Sequence, residues 1–271
     1  MFGWKTQEKK QDPLPWAPGY SKNKNRFIDA TLRDPSLMAR FRAGAELPAG
    51  FGPRIDERVV EYPWVLSRLA PAGMILDAGS TLNAPFLIDG PLLADRRILI
   101  YTFDTDWIGL NSRVSYLFGD LRDMILQDAL FETIICISTL EHIGMSLDLK
   151  AYSAARPYPQ ADYDSYRLAL KEFHRVLKPG GQLLLTVPYG RREDHGWLQQ
   201  YDAAGVEAIK NGFAADVAAE TYYRYSAEGW QVAKPAECAE LSYFNIHATP
   251  NFDPDFAAAA RAVACLEFVK R

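Results

Sequence analysis

Three aspartates and two histidines stand where chemistry would be done. Asp77 and Asp104 each directly follow a short apolar run and Asp120 stands two residues past a third, while His142 lies just past a fourth run and His195 in the loop after a fifth. A carboxylate offers paired acceptor oxygens, which suits a diol or an amino group. An imidazole can take up a proton near neutral pH, the property asked of a general base. Each also has a plainer use, since an aspartate after a strand caps the next helix well and a histidine can brace the turn that holds it. Asp106 competes with Asp104 for the second position.

The runs that carry these residues predict a parallel sheet wound with helices. Met74 to Leu76, Arg97 to Phe103, Ser115 to Phe118, Thr133 to Ser138 and Gln182 to Val187 are short, apolar along their length and closed by turns, as strands buried on both faces must be. Asp164 to Leu177 is an amphipathic helix with Tyr166, Leu170, Phe173 and Leu177 on one side, and Pro179-Gly180-Gly181 turns the chain into the fifth strand. Thr221 to Tyr225 and Ala262 to Val269 are β-rich and expected to pair as an antiparallel hairpin at the sheet edge, with a short helix over Ala236 to Leu241 between them. Ahead of the sheet, residues 1–25 read as an irregular arm, Arg26 to Ala43 as a helix started or broken at Pro35, and Asp56 to Leu69 as a helix containing Pro63. The organisation expected is α/β and doubly wound: an arm with lead-in helices over 1–70, then a ligand-binding domain over 71–271 with an insertion at 145–163. In such a sheet ligands bind beyond the carboxyl ends of the strands, where these acids fall.

Composition narrows the class. A net charge of -4 gives no excess of positive charge for a nucleic-acid backbone. Cys136, Cys238 and Cys265 are far apart without metal-ligand spacing, so no zinc knuckle or disulfide framework is expected and a reduced, cytoplasmic setting fits. No apolar stretch of membrane-spanning length occurs. Nothing in the sequence fixes an oligomeric state.

Five segments in order, ILDAGSTLN, the acidic end of the second strand, GDLRD, ALFETIICISTLEHI and EFHRVLKPGGQLLLTVP, resemble the successive motifs of class I S-adenosylmethionine-dependent methyltransferases, in the branch with LEH and KPGG turns. The resemblance covers roughly residues 74 to 190. It implies a Rossmann-like methyltransferase fold with an antiparallel edge strand, S-adenosyl-L-methionine as cofactor, and a small-molecule acceptor. By it, Asp77, Gly79 and Ser80 line the methionine moiety and Asp104 binds the ribose diol. Asp120 meets the adenine amino group, Leu121 packs on the ring, and Ser138 closes the site beside the methyl donor. The first loop departs from the family pattern: Gly79-Ser80-Thr81-Leu82-Asn83 keeps only the first of its glycines, and glycines there permit unusual dihedrals.

Methyl transfer is an in-line displacement, so a base is needed only when the acceptor is a weak nucleophile such as a hydroxyl. His142 and His195 are the candidate catalytic residues, and His174 is expected to be structural. His142, Glu193, Asp194 and His195 lack diagnostic metal spacing, and no metal is expected. The insertion and the loop carrying Trp197 and Tyr201 are longer than connection requires and are expected to cover the acceptor. PYGRREDHGWLQQYD and YYRYSAEGWQ resemble methyltransferases encoded with sugar and surface-polysaccharide enzymes, which points to O-methylation of a sugar-containing molecule. The alternative is a binding or scaffold protein of the same fold that has lost turnover. A nicotinamide dehydrogenase would want GxGxxG after the first strand, which is missing.

Overall fold

The computed structural model describes residues 13–103, 108–109, 111–145, 162–249 and 251–271. Three helices precede the sheet: α1 (Tyr20–Leu32), α2 (Pro35–Ala43) and α3 (Arg58–Leu66). The predicted helix over 26–43 is thus two. Asp34 accepts hydrogen bonds from the Ser36 and Leu37 amides and starts α2 with Pro35 at its first position, where a missing N–H costs nothing. The arm, where described, is also more ordered than its composition suggested. Tyr20 is fully buried and its hydroxyl meets the Asp56 carboxylate at 2.9 Å, while the Trp16 indole donates to the Ala258 carbonyl.

The alternation then runs β1 (Met74–Ala78), the single-turn α4 (Pro85–Ile88), β2 (Arg97–Thr102), β3 (Val114–Phe118), β4 (Phe131–Ile137), α5 (Tyr166–Val176) and β5 (Leu177–Pro188). After these come β6 (Glu193–Asp194), β7 (Gln199–Gln200), α6 (Ala203–Phe213), β8 (Asp216–Ser226), β9 (Gly229–Ala233), α7 (Pro235–Cys238) and β10 (Ala262–Val269). The main sheet has the order β3-β2-β1-β4-β5-β10-β8-β9. β1 to β5 are mutually parallel, and β10 is antiparallel to both β5 and β8. The two late strands therefore pair as expected but form no hairpin, and β10 lies inside the sheet. β8 makes its hairpin with β9, which is the antiparallel edge strand.

Strand order reverses between β1 and β4, the point where ligands gather in sheets of this kind. Side chains alternate about the sheet, because successive Cβ atoms point to opposite faces. Ile75, Ile135 and Leu184 pack toward the core shared with Ile28, Phe41, Val59 and Trp64, whereas Leu76, Ile134 and Leu185 pack toward Leu170, Phe173 and Phe213. The lead-in helices thus cover one face, and α5 and α6 the other. The KPGG segment is a bulge within β5: Phe131 pairs with Leu177 and Thr133 with Gln182, so the extra residues loop out with Gly180 at φ 74°.

Candidate active site

The loop after β1 is organised by its aspartate. Asp77 is fully buried, and its carboxylate accepts hydrogen bonds from the Thr81 amide and hydroxyl, both at 3.2 Å, and from the Leu82 amide at 2.9 Å. Burial pushes this carboxyl up to about 7 against the pull of those donors. The Tyr62 hydroxyl, from α3, holds the Thr81 carbonyl at 2.6 Å. Left-handed backbone is needed at Gly79 (φ 108°) and Ser80 (φ 67°), and neither Leu82 nor Asn83 has to supply it. Leu82 turns into the core, and Asn83 accepts a hydrogen bond from the Tyr116 hydroxyl at 2.9 Å. The loss of the later glycines is absorbed in this way: one replacement fills the core and the other is tied to β3.

Asp104 and Asp106, the two claimants for the end of β2, lie outside the described residues. At the end of β3, Asp120 is clasped by Arg122, whose Nε lies 3.0 Å from both carboxylate oxygens and whose Nη2 lies 2.7 Å from one. Leu121 is buried beside Ala78 and Tyr101. Ser138, after β4, has φ 37°, and its hydroxyl points to Glu61 of α3 at 2.6 Å. The same Glu61 oxygen accepts from the Thr186 hydroxyl of β5 at 2.6 Å, and the other oxygen pairs with Arg58. The Ser138 hydroxyl is thus a strut between the sheet and α3.

His142 closes a short 3-10 turn, Leu140–His142. Its Nδ1 lies 2.9 Å from the Trp197 carbonyl, an atom that only accepts, so Nδ1 carries the hydrogen and Nε2 is the basic nitrogen. The ring stacks on the Trp197 indole at 5.2 Å. Desolvation lowers its pKa to about 4, opposed by the Trp197 carbonyl and assisted by Arg58. Glu141 beside it is buried with Oε2 unpartnered among the described residues, and burial holds its carboxyl well above the usual range.

His195 is less solvated than a loop position suggests. Its side chain is 17% exposed, Nε2 lies 3.1 Å from Glu193, and the ring tilts on Tyr243 at 5.3 Å. Tyr243 in turn meets the Trp197 ring, so the segment after α7 joins both histidines into one aromatic wall. Tyr201, by contrast, is buried against Tyr166 and is packing material. Most of the insertion lies outside the described residues, but its end returns here: the Tyr163 hydroxyl bonds Asp194, and its carbonyl accepts from Gln199 at 3.1 Å. His174, on α5, packs edge-on to Phe213 of α6. No group of three or more His, Cys, Asp or Glu able to hold a metal occurs among the described residues.

Sequence reasoning missed Arg58, Glu61 and Tyr243. Two charged residues three apart in an otherwise apolar helix were the available signal for the first pair.

Residues 105–185 match the family described as a methyltransferase domain. No curated protein matches the sequence. Among solved structures, the chain is similar to the [4+2]-cyclase SpnF, with 16% identity, 96% of this chain and 99% of that chain covered, and a TM-score of 0.49. It is similar also to a SAM-dependent methyltransferase from Methanosarcina mazei, with 12% identity, coverage of 77% and 97%, and a TM-score of 0.46. A third is the 1,6-didemethyltoxoflavin-N1-methyltransferase of Burkholderia thailandensis, solved with bound 1,6-didemethyltoxoflavin and S-adenosylhomocysteine, with 13% identity, coverage of 93% and 84%, and a TM-score of 0.43. The matched segment, about a third of the chain, and this sheet order support a Rossmann-like class I methyltransferase fold with S-adenosylmethionine as the methyl donor. No helix among the described residues is long and apolar enough to cross a membrane.

Proposed function

We propose that the protein methylates a hydroxyl of a small, sugar-containing acceptor, with His142 as the base. The observation that carries this reading is the geometry of His142: Nδ1 is held by the Trp197 carbonyl, which leaves Nε2 as the proton-accepting atom at the end of β4. A hydroxyl is the acceptor that needs such a base. The sugar is supported by the late segments alone, PYGRREDHGWLQQYD and YYRYSAEGWQ.

The residues present fit the cofactor. The left-handed backbone at Gly79 and Ser80 keeps the shape that a glycine-rich loop would supply, with Leu82 and Asn83 folded away from it. When bound, S-adenosylmethionine supplies a methyl carbon activated by the sulfonium. In this reading Gly79 and Ser80 border the methionine moiety, with Asp77 shaping the loop. Asp104 binds the ribose, Asp120 and Leu121 border the adenine, and Ser138 sets the floor through Glu61. The aromatic wall of Trp197 and Tyr243 receives the acceptor, and His142 Nε2 takes the hydroxyl proton. His195 orients the wall through Glu193. A reducing, cytoplasmic setting agrees with three free, buried cysteines.

The test is the pH profile of transfer, followed as S-adenosylhomocysteine release with a panel of sugar acceptors. Because burial depresses the His142 pKa to about 4, the neutral, competent ring is present throughout the range where an ordinary histidine would protonate. Acid-side loss of kcat/KM is therefore expected toward pH 4 rather than near 6.5. His142→Ala should lower kcat about 100-fold or more while cofactor affinity changes by less than about 0.5 kcal/mol, since a base acts on the transition state. A variant with unchanged kcat removes His142 from this role.

A further inference from the structure

Glu141, in the turn after β4, is 2% exposed, with Oε2 unpartnered among the described residues and Oε1 3.9 Å from Nε2 of His142. Trp197 Nε1 is buried and unpartnered as well. Orphaned buried polar atoms are rare, and they persist where something else completes them. These two flank His142, one beside it on the same turn and one on the indole that stacks on its ring. In the reading above, both border the acceptor.

The charges around Glu141 do not balance. Among the described residues, four carboxyls gather where α3 meets the end of β4, those of Asp56, Glu57, Glu61 and Glu141, and two cations serve them. Lys24 takes Asp56 at 2.6 Å, and Arg58 takes Glu61. Glu57 has the Ala260 amide at 3.2 Å but no ion pair, and Glu141 has only the His142 ring, which burial keeps neutral. Burial, reinforced by the neighbouring acids, raises Glu57 to about 8 and holds Glu141 well above the usual carboxylate range. A cation set against Glu141 reverses this, because an opposite charge close by favours the ionised carboxyl. Aromatic faces, which attract cations, border the same group: the Tyr243 phenol is raised in part by the Glu141 charge, and its ring meets that of Trp197.

We propose that Glu141 binds the ammonium of the acceptor, an amino sugar whose amine stands beside the hydroxyl that is methylated. Oε2 accepts a hydrogen bond from the ammonium, and Trp197 Nε1 donates to an oxygen of the same sugar. A protonated amine has no lone pair with which to attack. The neighbouring hydroxyl therefore remains the methylated atom, and its proton passes to His142 Nε2. The inference rests on the sugar-hydroxyl reading above and names the class of its acceptor.

The full-length protein, saturated with S-adenosylhomocysteine, is titrated by calorimetry with two pairs of probes, glucosamine against glucose and galactosamine against galactose. The titrations are run at about pH 6, where an amine is already an ammonium. The wild type is expected to bind the amino sugar of at least one pair about tenfold or more tighter than its neutral parent. Repeating the titration in phosphate and in MES, buffers of unlike ionisation enthalpy, should show protons released with the amino sugar alone, as Glu141 ionises against it. Glu141→Gln keeps the shape of the side chain and removes its charge. It should weaken the amino sugar about tenfold or more, change the neutral parent less than about twofold, and abolish the proton release. Glu141→Asp, which restores a carboxyl on a shorter stem, should recover part of the selectivity. Equal affinities within each pair for the wild type, or a preference that survives in Glu141→Gln, overturn the proposal and leave the sugar-hydroxyl reading standing. Wild-type protein that binds S-adenosylhomocysteine but no sugar of either kind overturns that reading, and this inference with it.

Discussion

Gly79→Ala is expected to lose measurable S-adenosylhomocysteine binding and about 2–4 kcal/mol of stability. Two costs combine. At φ 108° an L side chain is strained, by about 1–2 kcal/mol on the scale of left-handed backbone. The added Cβ would also lie 2.2 Å from Thr139 Oγ1 and 2.4 Å from Cγ2, closer than any packed pair of such atoms, and relieving such overpacking costs about 1–3 kcal/mol. Thr139 is short and its hydroxyl is tied to the Ile137 carbonyl at 3.0 Å, so the ends of β1 and β4 must part. Gly79→Ala/Thr139→Ala should recover only a portion, since the position of the Thr139 Cβ itself is 2.8 Å away. Urea unfolding and calorimetry on the same samples check both halves, and wild-type affinity in Gly79→Ala would show that the loop does not form the cofactor site.

The second large effect is at Glu61. Removing this buried carboxylate in Glu61→Ala leaves the Arg58 guanidinium and the hydroxyls of Ser138 and Thr186 without their acceptor. An uncompensated buried charge costs about 3–5 kcal/mol, which is the loss expected in the free energy of unfolding. Glu61→Gln keeps an oxygen for the hydroxyls and should fall between. Arg58→Met/Glu61→Leu removes the cation along with the anion and should be less destabilised than Glu61→Ala, because the penalty belongs to the stranded charge rather than to the loss of the pair. A Glu61→Ala protein within about 1 kcal/mol of wild type would mean that water or another acid takes over Arg58.

The parallel core of the sheet was legible because its strands are apolar along their whole length, a pattern that burial on both faces imposes. The acids at the strand ends were legible for the same reason: once the runs are marked, position identifies the residues that follow. β9 was missed because GWQVA is short and opens on a glycine, and β6 and β7 are only two residues each. The missed α6 did carry a signal, with Asp202 capping its start and Val206, Ile209 and Phe213 on one side. Glu61 is a different case. Its two hydroxyl partners lie 77 and 125 residues away, and no local period encodes contacts made only when α3 docks on the ends of β4 and β5. The engagement of Asp120 by Arg122 was written in the sequence as an acid and a base two apart, yet that spacing is equally compatible with two solvated side chains.

The most direct measurement is a calorimetric titration of S-adenosylhomocysteine into the wild-type protein and into Asp104→Ala. The wild type is expected to bind with micromolar affinity, roughly 8 kcal/mol. Asp104→Ala should bind about 1.5–3 kcal/mol more weakly, as hydrogen bonds to a charged group are lost, with Asp106→Ala unchanged. Normal binding by Asp104→Ala with loss in Asp106→Ala would move the ribose contact two residues along the chain. No heat from the wild type at protein concentrations near about 100 micromolar, corresponding to less than roughly 5 kcal/mol of binding, would contradict a working methyl-donor site in this fold.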